Sequence, residues 1–190
     1  MHELITNRGV FTGEKIGKGA FTTAYREYGE PHGGYVLLVT DDPMKDVLHD
    51  LTGTANPHLP GLDYVGYLVK TGESVYRTNY FPRLRAASVA AWAQYKVLRA
   101  LADDMRWYGV ARKSGLFPVH EFDHRVRHTE GLPESLKDAI SLLCDSALEY
   151  QAPNFEFAPR NLGTSGDTLI LLDVLYDQYA LDERSNRKRA

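Results

Sequence analysis

Ile16-Gly-Lys-Gly-Ala-Phe-Thr-Thr-Ala-Tyr25 is the stretch on which the fold reading turns. Its two glycines, Gly17 and Gly19, lie one residue apart between β-prone segments, and a turn of that kind lets backbone amides approach a phosphate closely. Phe21 is placed to cap such a loop, and Ala24 is small enough to lie under an adenine ring. An ordinary glycine-containing hairpin fits the same stretch, and the two readings stay open at this point. A dinucleotide fold fits worse. There Gly-x-Gly-x-x-Gly opens a helix after a strand, whereas Thr22, Thr23 and Tyr25 continue as a strand.

Working outward, strand signals recur at residues 21–28 and again at 35–39, after the turn Pro31-His-Gly-Gly34. Residues 41–51 read as a short helix, with Asp41 or Asp42 capping it and Pro43 in its first turn. Two further strands are expected at residues 62–70 and 74–81, joined by Thr71-Gly-Glu73. The class is α+β, with a five-stranded antiparallel sheet and one helix over about residues 10–85. From residue 86 the texture turns helical. Residues 87–106 carry a stripe of Val89, Trp92, Ala93, Lys96, Val97, Ala100 and Leu101. Residues 116–126 are ambiguous between helix and strand. A second long helix should start near Pro133, with Leu136, Ile140, Leu143, Cys144 and Leu148 inward. Residues 152–161 are too rich in proline and polar groups to be regular. Leu169-Ile-Leu-Leu172 reads as a short buried strand ending in Asp173. Residues 86–180 thus form a helical part, and 181–190 a basic tail, frayed from Arg184, of one domain spanning 1–190.

Composition narrows the function classes. The net charge of −3 leaves no global basic field to draw nucleic acid or an anionic membrane surface as primary ligand. The single cysteine, Cys144, excludes an intramolecular disulfide framework and a Cys-rich zinc site. No apolar run has the length of a signal peptide or membrane span, so a soluble, cytoplasmic protein is expected. His120, His124 and His128 recur at four-residue spacing, which on a helix would suit zinc. Surface histidines among charges are the plainer reading.

Phosphoryl transfer needs a carboxylate to orient the nucleophile and oxygen ligands for Mg²⁺. Glu156 and Asn161 lie five residues apart in Phe155-Glu-Phe-Ala-Pro-Arg-Asn161, and Asp173 follows four aliphatic residues. Each alone reads as a loop polar group or a strand-end cap. Together with the glycine loop they point to nucleotide chemistry.

Gly17-x-Gly19-x-Phe21-x-x-Ala24-Tyr25 resembles the glycine-rich loop of the protein kinase superfamily, with Thr22 in place of the third glycine. The order that follows resembles a kinase small lobe, and residues 75–84 resemble the strand and hinge that grip adenine. The loop pattern is similar in particular to that of the short serine/threonine kinases of lytic bacteriophages. The similarity spans about residues 10–178. It implies a two-lobed kinase-like fold: a five-stranded sheet lobe, a truncated helical lobe, a nucleotide cleft between them and Tyr80-Phe-Pro-Arg83 joining them. It implies ATP and Mg²⁺ as cofactors, with Gly17, Lys18, Gly19, Phe21 and Ala24 around the nucleotide. Asn161 and Asp173 would hold the metal and Glu156 would orient a serine or threonine hydroxyl of a protein, as in an effector acting on a host protein. Two departures stand out: Glu156 replaces the family's aspartate, and Leu38 stands where the strand lysine is expected. Lys15, Lys18 or Arg160 would then have to supply the cation. The alternative is a pseudokinase that binds a partner protein and does no chemistry.

Overall fold

The structure, a computed structural model, describes residues 1–29, 34–108, 117–150 and 153–187. Two compact units divide the chain: Met1–Gly53 with Pro60–Tyr80, and Thr54–Leu59 with Phe81–Ala190.

The first unit is an antiparallel sheet of β1 (His2–Thr6), β2 (Gly9–Lys18), β3 (Thr22–Glu27), β4 (Tyr35–Thr40), β5 (Asp63–Tyr67) and β6 (Ser74–Asn79), in the order β1-β2-β3-β4-β6-β5. The sheet has six strands where five were expected, and it starts at His2 rather than near residue 10. The extra strand owes its place to alternation over only five residues: Leu4 and Thr6 are buried while Ile5 is 55% exposed. The turn Asn7-Arg8-Gly9 folds it back on β2, and the Thr6 hydroxyl accepts the N–H groups of Arg8 and Gly9 at 3.2 and 3.1 Å. On its other edge Val69 N–H donates to the Ile5 carbonyl and Asn7 N–H to the Tyr67 carbonyl, both at 3.0 Å. Asn7 Oδ1 takes the Tyr67 N–H at 2.9 Å, and the Arg8 guanidinium reaches the Tyr64 carbonyl at 3.4 Å. The sheet thus curls until its first strand bonds to the segment after β5.

Alternation sorts the side chains. Leu4, Leu37, Val39 and Val75 make the core of the curl, with Phe11, Tyr25, Val65 and Leu68 packed on it. The opposite face carries Ala24, Leu38 and Tyr76, which pair across β3, β4 and β6. Helix α1 (Met44–Asp50) has Pro43 at its N-cap, and Asp42 Oδ1 accepts the Met44 N–H at 3.0 Å. The Tyr76 hydroxyl donates to Asp46 of α1. Burial, then the Asp46 carboxylate, pushes that phenol up, so it stays protonated and donating. The His49 ring lies 5.7 Å from Tyr76 and donates Nδ1–H to the Leu62 carbonyl at 2.6 Å.

The second unit holds α2 (Val89–Tyr108), α3 (Val119–His128), α4 (Glu134–Ala147) and α5 (Gln178–Arg187), with two small antiparallel sheets. One is the hairpin of β8 (Leu162–Ser165) with β9 (Thr168–Leu171); the other pairs β7 (Pro153–Phe155) with β10 (Leu175–Asp177), on either side of that hairpin in sequence. Helix α3 packs on α2 and α4, and β9 on α2. The face of α2 is rotated from the expected one: Ala91, Tyr95, Leu98, Ala102 and Met105 are buried, while Ala93, Lys96 and Ala100 are exposed. Both stripes keep helical spacing, and the buried one wins because it gathers the bulkier Tyr95, Leu98 and Met105. On α4 the expected Leu136, Ile140, Leu143 and Cys144 are inside, but Leu148 is past the helix and 45% exposed. The tail expected to fray from Arg184 is helical through Arg187. No helix among the described residues is long and apolar enough to cross a membrane.

Phe81 to Leu84 is stitched to β8: Thr164 N–H donates to the Pro82 carbonyl at 2.9 Å and Leu84 N–H to the Leu162 carbonyl at 3.2 Å. The strand expected over residues 74–81 ends at Asn79, two residues early, and Tyr80-Phe-Pro-Arg83, expected to be the link, follows it outside any helix or named strand. A Cβ on Gly163 would meet Phe81 Cβ at 2.8 Å, so the close approach needs glycine.

Two outcomes follow from these contacts. Gly66 has φ +123°, and a Cβ there would lie 2.4 Å from Asn7 Oδ1. Gly66→Ala should therefore lower stability by at least ~1–3 kcal/mol, while Gly53→Ala, with open space, should stay within about 0.5 kcal/mol in the same chemical denaturation. His58 is buried, its Nδ1 2.7 Å from the Leu169 carbonyl and its Nε2 3.1 Å from Ser135 Oγ. A carbonyl only accepts, so Nδ1 carries the proton and Ser135 donates to Nε2. Burial pushes His58 down from its ordinary value, against the Leu169 hydrogen bond, which raises it. The neutral ring is the one the fold prefers. Its stabilisation is complete above the unfolded value of about 6.5 and is lost as pH falls through the lower folded value. His58→Gln should flatten the fall in melting temperature between pH 7 and pH 5; an unchanged slope would refute this.

Candidate active site

Glu156, Asn161 and Asp173 meet in the second unit. The local reason is aromatic. Phe155 and Phe157 flank Glu156 and turn inward, their centroids 5.2 and 5.8 Å from that of Phe122 on α3, and Phe117 lies 5.5 Å from Phe155. With both neighbours held inside, Glu156 is left half-buried at the surface. Pro159 opens a 3₁₀ turn, Pro159–Asn161, which returns Asn161 toward Glu156.

Asn161 is 8% exposed, and its bonds define the site. Its Nδ2 donates to the Glu156 carbonyl at 3.2 Å and to Glu156 Oε2 at 3.1 Å. Its main-chain carbonyl accepts the N–H groups of Leu172 and Asp173 at 3.1 and 3.0 Å. With both amide hydrogens committed, the oxygen Oδ1 is what the side chain has left for another partner. Glu156 Oε1 takes a hydrogen bond from Arg160 at 2.5 Å, so both carboxylate oxygens already hold donors. Arg160 is well exposed.

The donor chemistry fits magnesium. One amide oxygen and one carboxylate, Asn161 Oδ1 and Asp173, are hard oxygen donors. Mg²⁺ is usually held by one or two carboxylates together with phosphates and water rather than by an all-protein cage. Among the described residues no cluster of three or more His, Cys, Asp and Glu is arranged to hold a metal. His120, His124 and His128 are exposed on α3, which is helical because Val119, Phe122 and Val126 give it an inner face.

The glycine stretch lies in the first unit and is a hairpin. Gly17 pairs with Ala24 and Lys18 with Thr23, with a bulge between Lys15 and Gly17. Gly19 N–H closes the turn on the Thr22 carbonyl at 2.7 Å and is not available to a phosphate. A Cβ at Gly19 would meet only Thr22 O, at 3.7 Å, so the fold itself does not demand glycine there. Phe21 and Ala24 are half-buried, and Lys15 and Lys18 are exposed. The β3–β4 register sets Leu38 opposite Ala24 and Thr40 opposite Thr22, whose hydroxyls lie 2.9 Å apart. The β4 position nearest the glycine turn is therefore Thr40, not Leu38, and neither is a cation. The sequence reading missed a charge close by: Lys45 on α1 is 1% exposed. A lysine in a helix so short leaves no periodic signal of burial.

No described protein family and no curated protein sequence matches the chain. Among solved structures it is similar to that of the gentamicin–APH(2″)-IIa complex, an aminoglycoside phosphotransferase, at 11% identity and a TM-score of 0.36, over 90% of this chain and 67% of that one. A likeness of that size assigns neither a substrate nor a mechanism.

Asn161 can be tested apart from any activity. Asn161→Leu strips Glu156 of its buried donor and should cost about 1–3 kcal/mol at any pH. Asn161→Asp sets two carboxylates against each other, so its penalty relative to the parent should be larger at pH 7 than near pH 4, in denaturant titrations at both.

Proposed function

We propose that the chain is a kinase-like phosphotransferase that uses ATP and Mg²⁺ and transfers the γ-phosphoryl group to a serine or threonine hydroxyl of a protein. The observation that carries this reading is the triple commitment of Asn161, which brings Glu156, its own Oδ1 and the start of Asp173 together. That is the donor set in-line phosphoryl transfer asks for. Magnesium, when bound, neutralises charge on the phosphates, and Asn161 and Asp173 are the residues to hold it. Glu156 orients the nucleophile. A carboxylate has about four lone-pair directions, so with Arg160 and Asn161 engaged it still accepts a hydrogen bond from a substrate hydroxyl. As that oxygen bonds to phosphorus and the bond to the ADP oxygen breaks, the hydroxyl proton passes to the carboxylate or to water. Gly17, Lys18, Gly19, Phe21 and Ala24 would border the nucleotide, Gly19 by lacking a side chain rather than through its amide. The substrate class, a protein of a host cell, rests on the resemblance of the glycine loop to the short phage kinases.

A second reading, a pseudokinase that acts by binding a partner protein, draws support from the occupied oxygens of Glu156 and from a β4 without a cation. Thermal-shift titration with ATP and Mg²⁺, beside transfer of labelled phosphate to a generic protein substrate, separates the two. The enzyme reading expects a magnesium-dependent shift, and Asp173→Ala should cost roughly a hundredfold or more in transfer, the scale for losing one preorganised electrostatic group. No shift and no transfer would leave the binding protein, and transfer untouched by Asp173→Ala would mean the site lies elsewhere.

A further inference from the structure

We propose that Lys45 is the cation that meets the nucleotide's phosphates, an inference that rests on the phosphotransferase reading above. A triphosphate brought out of bulk water needs positive charge beside it, because charge interactions strengthen as the dielectric falls. Strand β4 offers Leu38 and Thr40 on the face it shares with Ala24 and Thr22, and no cation. Lys15, Lys18 and Lys70 in the same unit are exposed, where hydration competes for the ammonium group. Lys45 alone among the lysines of that unit is buried, at 1% exposure, and is one of the largest fully buried side chains in the chain.

A lysine is almost never so buried without a reason in charge pairing, and Lys45 is partnered in the structure. Its position ties it to the glycine hairpin through a short run of contacts. Thr22 and Thr40 hydroxyls are 2.9 Å apart, Asp42 N–H donates to the Thr40 hydroxyl at 3.0 Å, and Lys45 N–H donates to the Asp42 carbonyl at 3.1 Å. Lys45 therefore stands one helical turn beyond the end of the strand that flanks the turn of Gly19. Its helix is also fixed to the sheet by the Tyr76–Asp46 hydrogen bond and by His49 against Tyr76. A lysine on a helix anchored in this way has a fixed position beside the strand end, which an exposed, hydrated lysine on a hairpin does not offer. A purely structural lysine would serve only its partner within the fold, and the two roles differ in what ATP does.

The test uses the full chain and two readouts. In the first, an acyl-phosphate derivative of ATP is added to the unaltered protein. A lysine amine at the phosphates attacks the acyl carbon, the acyl–phosphate bond breaks, ATP leaves, a proton goes to solvent, and the lysine keeps the acyl group as an amide. Peptide mass spectrometry should find the label on Lys45 and excess ATP should suppress it. Label on Lys15 or Lys18 instead, or no ATP-suppressible label, would overturn the proposal. In the second, Lys45→Met, Lys45→Arg and, as a control, exposed Lys70→Ala are compared for phosphate transfer and for thermal shift with ATP·Mg²⁺ against adenosine. Lys45→Met should lose roughly a hundredfold in transfer and its preference for ATP over adenosine, with partial recovery in Lys45→Arg and no loss at Lys70. If Lys45→Met keeps both transfer and preference while Asp173→Ala abolishes transfer, the Lys45 assignment falls and the phosphotransferase stands. If the unaltered protein shows neither shift nor transfer, both fall.

Discussion

Asn161 holds the loop of Glu156 with its buried side-chain amide and the strand end of Asp173 with its main-chain carbonyl, and the local structure depends on both being satisfied. An amide removed from water must find acceptors for both hydrogens or forfeit about 1–3 kcal/mol. Here the Glu156 carbonyl and carboxylate are those acceptors, while the main chain of the same residue accepts from Leu172 and Asp173. None of these contacts is strong alone, and together they leave the loop one low-energy course. The aromatic side chains set that course. Phe155 and Phe157 cannot both stay buried against Phe122 unless Glu156 faces out between them.

The first unit solves a different problem by the same means. Alternation gives its sheet one apolar face, closed into a core by Leu4 and Val75, and one face with Ala24, Leu38 and Tyr76 to which α1 is fastened. Fastening uses polar pairs, Tyr76 to Asp46 and His49 to the Leu62 carbonyl, so the helix has a defined seat rather than a greasy one. A buried lysine in such a helix is held where the sheet's geometry puts it.

Much of this was legible in the residues because short-range chemistry dictated it. The glycine hairpin, β4, α1 with Asp42 and Pro43, the inner face of α4 and the strand before Asp173 all carry local signals, while the turn expected at Pro31-His-Gly-Gly34 lies largely outside the described residues. The spacing of Glu156, Asn161 and Asp173 was readable, whereas the bonds that join them were not, since those depend on a turn at Pro159 closing on a strand. Other elements were hidden for physical reasons. Strand β1 is five residues with one apolar side chain facing out, and it is defined by partners far along the chain. Helix α3 reads as charged alternation until Arg125 pairs with Glu121 and Arg127 with Asp123 across single turns, leaving Val119, Phe122 and Val126 as its inner face. Strands β7 and β10 are three residues each and exist only as each other's partner. The stripe of α2 was misjudged because two helical faces were both plausible and only packing chooses between them.

The closing of β1 onto residues 67–69 bears on how this unit can meet other molecules. A sheet normally ends in rows of unsatisfied N–H and C=O groups, a ready template for another extended chain. At the Ile5–Asn7 end of β1 that row is spent on Val69, Tyr67 and the Thr6–Leu68 bridge, and beside β5 the Asn7 and Arg8 side chains engage the Tyr64 carbonyl and the Tyr67 N–H. A peptide that recognises its target by adding a strand therefore finds this end of the flank already taken. Contact there has to be made by side chains such as Ile5, Val10 and Val69, which are exposed and can be changed one at a time without unravelling the backbone ladder beneath them.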